Sequence, residues 1–127
     1  MTEDEKIRLV RQYLAAYNRF DVPGMLEVLH PDVRFENVSD RATTLATEGR
    51  AAFAEQAERA ARMFSEREQG VTAITSVGDS LELAIDYTGV LAEGIPGGPP
   101  AGQRIELTGT ATFSFRDRLI SLLRDES

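Results

Sequence analysis

Residues 13–37 read YLAAYNRFDVPGMLEVLHPDVRFEN, and this stretch decides the fold. Just ahead of it, Thr2 and Glu5 make the pair a capping box needs, and Glu3 and Asp4 suit the positive end of a helix. Ile7, Val10, Leu14 and Tyr17 then recur at helical spacing, with Tyr13 and Phe20 flanking the stripe. Asp21 is placed to cap a second, short helix that tolerates Pro23 in its first turn. Met25, Leu26 and Leu29 give that helix an apolar face, and Pro31 is expected to end it. Val33, Phe35 and Asn37 alternate with Arg34, Glu36 and Val38, the pattern of a half-buried strand. A strand starting straight after two helices lays its inner residues against the first of them. Phe35 and Asn37 are therefore expected to face Tyr13 and Tyr17. Tyrosine hydroxyls offered to a polar strand residue make the beginnings of a small pocket.

Working outward, Asp40 to Gly49 is polar and threonine-rich, with a short extended piece predicted over Thr44–Thr47. A third helix is predicted from Arg50 to about Glu66, with Phe53, Ala57, Ala60, Ala61 and Phe64 as its buried stripe. Strands are predicted over Val71–Val77, Leu81–Thr88, Ile105–Phe115 and Leu119–Asp125. The alternation of Leu81, Leu83, Ile85 and Tyr87 is the cleanest in the chain and turns Asp86 outward. Gly109 reads as a bulge or a close-approach point. EGIPGGPPAG, Glu93 to Gly102, is the one clear loop, either a flap over the pocket or a plain connection. The predicted class is α+β: one domain over residues 1–127, a cone-shaped curved antiparallel sheet wrapped on three helices, with a cavity at its open end.

Composition narrows the function. The net charge of −7 argues against nucleic acid and anionic membrane surfaces, both of which call for a basic patch. The absence of cysteine excludes disulfides, thiolate metal sites and cysteine nucleophiles, and the lone His30 cannot build a His-rich metal site. His30 reads instead as a helix-end residue favoured by the dipole. No apolar run approaches the ~20 residues of a membrane span. The acidic start MTEDEKIRL is unlike a signal peptide, so a cytoplasmic location is expected.

The Tyr13–Asn37 stretch and the order of elements after it resemble the nuclear transport factor 2-like superfamily, and within it the SnoaL-like branch of polyketide cyclases, related to ketosteroid isomerases. The resemblance covers nearly the whole chain. It implies the cystatin-like cone and a homodimer formed through the outer sheet face. Pro99-Pro100-Ala101-Gly102 is similar to a hairpin that leads into the penultimate strand in the cyclase branch. Arg118 stands where many relatives have glycine in the last turn.

In the isomerases, a tyrosine on the first helix and a protonated acid on a late strand hold the developing enolate oxygen, while a first-strand carboxylate moves the proton. By resemblance these positions fall on Tyr13, Ala111 and Asn37. Ala111 supplies neither that acid nor the histidine common in the cyclase branch. Asn37 cannot abstract a proton, though it can orient a carbonyl or hydroxyl. The cyclase branch carries its acid/base aspartate on the last strand, which matches Asp125 in LISLLRDES, on one face with Leu123.

Asp125 is thus the candidate base, with Tyr13 and Asn37 positioning a substrate oxygen. In an apolar cavity its pKa would rise toward neutrality; at a frayed chain end it would be solvated. Tyr17, Met25, Phe35, Phe53 and Phe64 are the candidate ligand-binding walls on the helix side. Leu83, Ile85, Tyr87, Ala111, Phe113 and Leu123 are those on the sheet side. The expected function is binding of a small apolar oxygenated molecule, with isomerase, cyclase or dehydratase chemistry by acid/base proton transfer. No cofactor and no metal are expected. The alternative, favoured by the missing acids, is a non-catalytic small-ligand-binding or dimerisation module.

Overall fold

The computed structural model describes all 127 residues. Helix α1 runs Glu3–Asn18 and carries the expected capping box, with the Thr2 hydroxyl accepting the Glu5 N–H and the Glu5 carboxylate accepting the Thr2 N–H. Helix α2, Val22–Leu26, is capped by Asp21, whose carboxylate accepts the Gly24 N–H at 3.0 Å. Strands β1 (Leu29–Ser39) and β2 (Ala42–Glu48) follow, then α3 (Arg50–Arg62), β3 (Phe64–Val77), β4 (Ser80–Leu91), β5 (Arg104–Arg116) and β6 (Leu119–Glu126). No helix is long and apolar enough to cross a membrane.

The six strands form one sheet in the order β2-β1-β6-β5-β4-β3. Every pairing is antiparallel except β1 with β6, which is parallel, so the sheet is mixed rather than wholly antiparallel. The chain leaves β1 through a hairpin and α3, builds β3 to β5, and returns in β6 beside β1 and in its direction. This return sets Asn37 level with Asp125, and Asp125 level with Ala111 on β5.

The largest departures from the sequence reading are at the starts of β1 and β3. β1 begins at Leu29, so Pro31 lies within an irregular stretch of strand instead of ending a helix. β3 begins at Phe64, seven residues before the expected Val71, and α3 stops at Arg62. Phe64–Gln69 is rich in helix-forming Glu, Arg and Gln, yet pairing with β4 overrides that preference. His30 is not a dipole-capping residue either. It is buried in β1, accepts the Asp32 N–H on Nδ1 at 3.0 Å and pairs through Nε2 with Asp117 Oδ2 at 3.0 Å.

The core lies between the helices and the inner sheet face. Val10, Tyr13 and Leu14 of α1 and Phe53 of α3 pack on Val33, Leu81, Leu83, Phe113 and Leu123, all essentially excluded from solvent. Aromatic edges lock the layers: Tyr13 meets Phe113 at 5.9 Å and Phe35 meets Phe53 at 5.6 Å.

Asp40-Arg41 and Asp117-Arg118 both close two-residue hairpins, and all four residues have positive φ. That is the geometry of a type I′ turn, which favours glycine at its second position. Arg118 thus takes the strained conformation, in contact with Glu5. Arg41 is exposed. Arg41→Gly is expected to stabilise the protein by about 0.5–1 kcal/mol, read as a higher urea midpoint with an unchanged slope.

Candidate active site

The inward-facing residues change from core to cavity wall partway along each strand. Val33 gives way to Phe35 and Asn37, Leu123 to Asp125, Phe113 to Ala111, and Leu83 to Ile85 and Tyr87. The hollow has a volume of about 410 Å³. Tyr13 and Tyr17 of α1, Met25 of α2 and Phe53 of α3 complete the wall, with Phe64 entering from β3 rather than from a helix. Leu83, Phe113 and Leu123 do not reach it. Strand parity puts them on the inner face, as expected, but they sit below the floor at 0% exposure. Asp86 points outward and is exposed. No residue of the Glu93–Gly102 loop lines the cavity.

Asp125 reaches the hollow from the last strand. The chain end is held: Ser127 N–H donates to Val38 O at 2.9 Å and Asp40 N–H donates to Ser127 O at 3.3 Å. The carboxyl has no ion pair. Asp125 is half-buried and lines the cavity, and burial of its carboxyl pushes its pKa up to about 7.

Tyr13 is buried, and its ring faces the same space. Burial first, then the nearby Asp125 charge, holds its pKa well above the ordinary phenol value, so it remains a neutral O–H donor. Tyr17 and Tyr87 share a hydroxyl hydrogen bond of 3.1 Å, and burial raises both pKa values. Asn37 stands beside Asp125 across the parallel β1–β6 pair. Its Nδ2 donates to Thr44 Oγ1 at 3.0 Å, and that hydroxyl donates to the backbone carbonyl of Asn37 at 3.1 Å. The amide is thus pinned, with its Oδ1 and second N–H left for a ligand.

Among the wall residues that escape the sequence reading are two buried polar side chains on β3, Arg67 and Gln69. Arg67 Nε donates to Tyr17 O at 3.1 Å, and its guanidinium lies 3.7 Å over the Tyr17 ring and 4.6 Å from that of Phe20. The usable signal was the alternation of Arg67, Gln69 and Val71. It was hidden by helix-forming neighbours and by a register shift between Phe64 and Glu66 that breaks the strand's parity.

Residues 10–123 match the family model described as SnoaL-like domain. The chain belongs to the SnoaL-like family. Among solved structures, this SnoaL-like protein is similar to a protein from Xanthomonas campestris pv. campestris provisionally described as a polyketide cyclase. The two share 28% identity at a TM-score of 0.84, over 98% of this chain and 90% of that one. A SnoaL-like protein from Jannaschia sp. CCS1, also provisionally described as a polyketide cyclase, is 20% identical at a TM-score of 0.81, over 97% and 85% of the two chains. An LEH-like epoxide hydrolase from M. tuberculosis is 21% identical at a TM-score of 0.74, over 97% and 82%. The last two likenesses concern the fold. No curated protein matches the chain.

Proposed function

We propose that this SnoaL-like protein binds a small, largely apolar, oxygenated molecule in the cone cavity and moves a proton on it without a cofactor. One observation carries the reading: Asp125 presents an unpaired carboxyl, poised near pH 7, to an aromatic-lined hollow. A base with a pKa close to the working pH is ionised in a large fraction of molecules and still takes a proton strongly. Tyr13 keeps its own proton and donates a hydrogen bond to the oxygen on which charge develops. Asn37, beside the base, orients that oxygen. Isomerisation, aldol-type cyclisation and dehydration share this step. The Xanthomonas neighbour provisionally described as a polyketide cyclase lends support to it.

A non-catalytic binding or dimerisation module is the second reading. The residues level with Asp125 on the adjoining strands favour it, since Asn37 and Ala111 supply no second acid or base. A bicyclic ketone small enough for the cavity, 1-tetralone, in D₂O separates the two. Under the first reading the protein speeds deuterium incorporation beside the carbonyl, with a rate that rises through pH 7, and Asp125→Asn lowers the rate by about 100-fold or more. Binding of the ketone with exchange no faster than in buffer would support the second reading.

A further inference from the structure

The hollow is lined by a cation that has no counter-ion in the protein. Arg67 is 6% exposed, yet it forms no ion pair, and its single hydrogen bond to the protein uses Nε. Nη2 is sealed from water without an acceptor. Buried guanidinium groups are ordinarily paired, because an unmatched charge away from water is costly. The sequence neighbours Glu66 and Glu68 are exposed and do not pair with it. Asp125 is no substitute, since β6 and β3 are separated by β5 and β4.

We propose that the cavity takes a molecule bearing an anionic oxygen, such as a carboxylate or an ionised enol or phenol, seated on Arg67 at the end away from Asp125. The planar guanidinium is fixed by Tyr17 on two sides, through the ring below it and the carbonyl at Nε. A group held in that way loses little freedom when an oxyanion docks on the part of it that lines the hollow. Gln69 stands two residues further along the same strand and on the same wall, where its amide can donate to the same oxygen. The Tyr17–Tyr87 hydroxyl pair borders this end, and the aromatic rings between it and Asp125 accommodate the apolar body of the ligand. The cavity of a protein with net charge −7 is in this way selective for anions through one internal cation.

The inference rests on the hollow being the ligand site, and the test keeps the two apart. Titration calorimetry compares 2-naphthoate with its neutral isostere 2-naphthamide. Wild type is expected to bind the carboxylate about tenfold or more tightly than the amide. Arg67→Met is expected to erase that preference while the amide's affinity stays within about threefold. Asp125→Asn is expected to retain the preference, because the carboxylate is read at the other end. Equal affinities in wild type, or a preference that survives Arg67→Met, would overturn the proposal and leave the hollow a ligand site. Binding of neither probe at millimolar concentration would overturn both. The wild-type comparison stands by itself should Arg67→Met not fold.

Discussion

Asp125→Asn is expected to stabilise the protein by about 3–4 kcal/mol at pH 8 and by only about 0.5 kcal/mol at pH 4. Burial moves the carboxyl from its ordinary 3.8 to about 7. Between those values the folded state holds a proton that the unfolded chain has released, so stability falls as pH rises through the window and levels off above it. Below 3.8 both states are protonated and the effect vanishes. The neutral amide has the same shape and no ionisation, so it escapes the whole penalty. Urea unfolding of both proteins from pH 4 to pH 8 reads the difference directly. A gap that does not grow with pH would mean that the carboxyl is solvated. The same substitution removes the proposed base, so stability gained and proton transfer lost would appear together, as expected when a site is held against the preference of the fold.

Gly109→Ala is expected to cost about 2–3 kcal/mol and to disturb the site. A methyl group at this position would run into the backbone carbonyl of Glu126. Backbone cannot rotate away as a flexible side chain can, so β6 must shift outward or its pairing with β5 must loosen. Glu126 adjoins Asp125, and Gly109 itself lines the hollow. The expected signature is a lower urea midpoint together with a displaced Asp125 titration. A variant with wild-type stability and an unmoved titration would show that β6 tolerates the intrusion.

Local chemistry made much of this legible from sequence. The capping box at Thr2, the Asp21 cap, the period-2 run from Leu81 to Tyr87 and the close approach at Gly109 each follow from neighbours in the chain or from one residue's shape. Asp125 was found by parity and resemblance, and β6 holds it on the cavity side as parity requires. What stayed hidden depended on partners far along the chain. The early start of β3 is fixed by pairing with β4, and its register shift after Phe64 puts Arg67 and Gln69 on the same wall as Phe64 although they differ from it in parity. The parallel joining of β1 to β6 is likewise a property of the closed sheet. The depth at which core becomes cavity, which excludes Leu83, Phe113 and Leu123 from the wall, is set by how the helices lie across the strands.

The most direct measurement is the titration of the Asp125 side-chain carboxyl by carbon-13 NMR, assigned by its loss in Asp125→Asn. A midpoint close to pH 7 is the predicted result, with the carboxyl enclosed by the tyrosine-bearing helix and the last strand. A midpoint near the ordinary aspartate value of 3.8 would contradict the account, because no base would then be poised in the hollow.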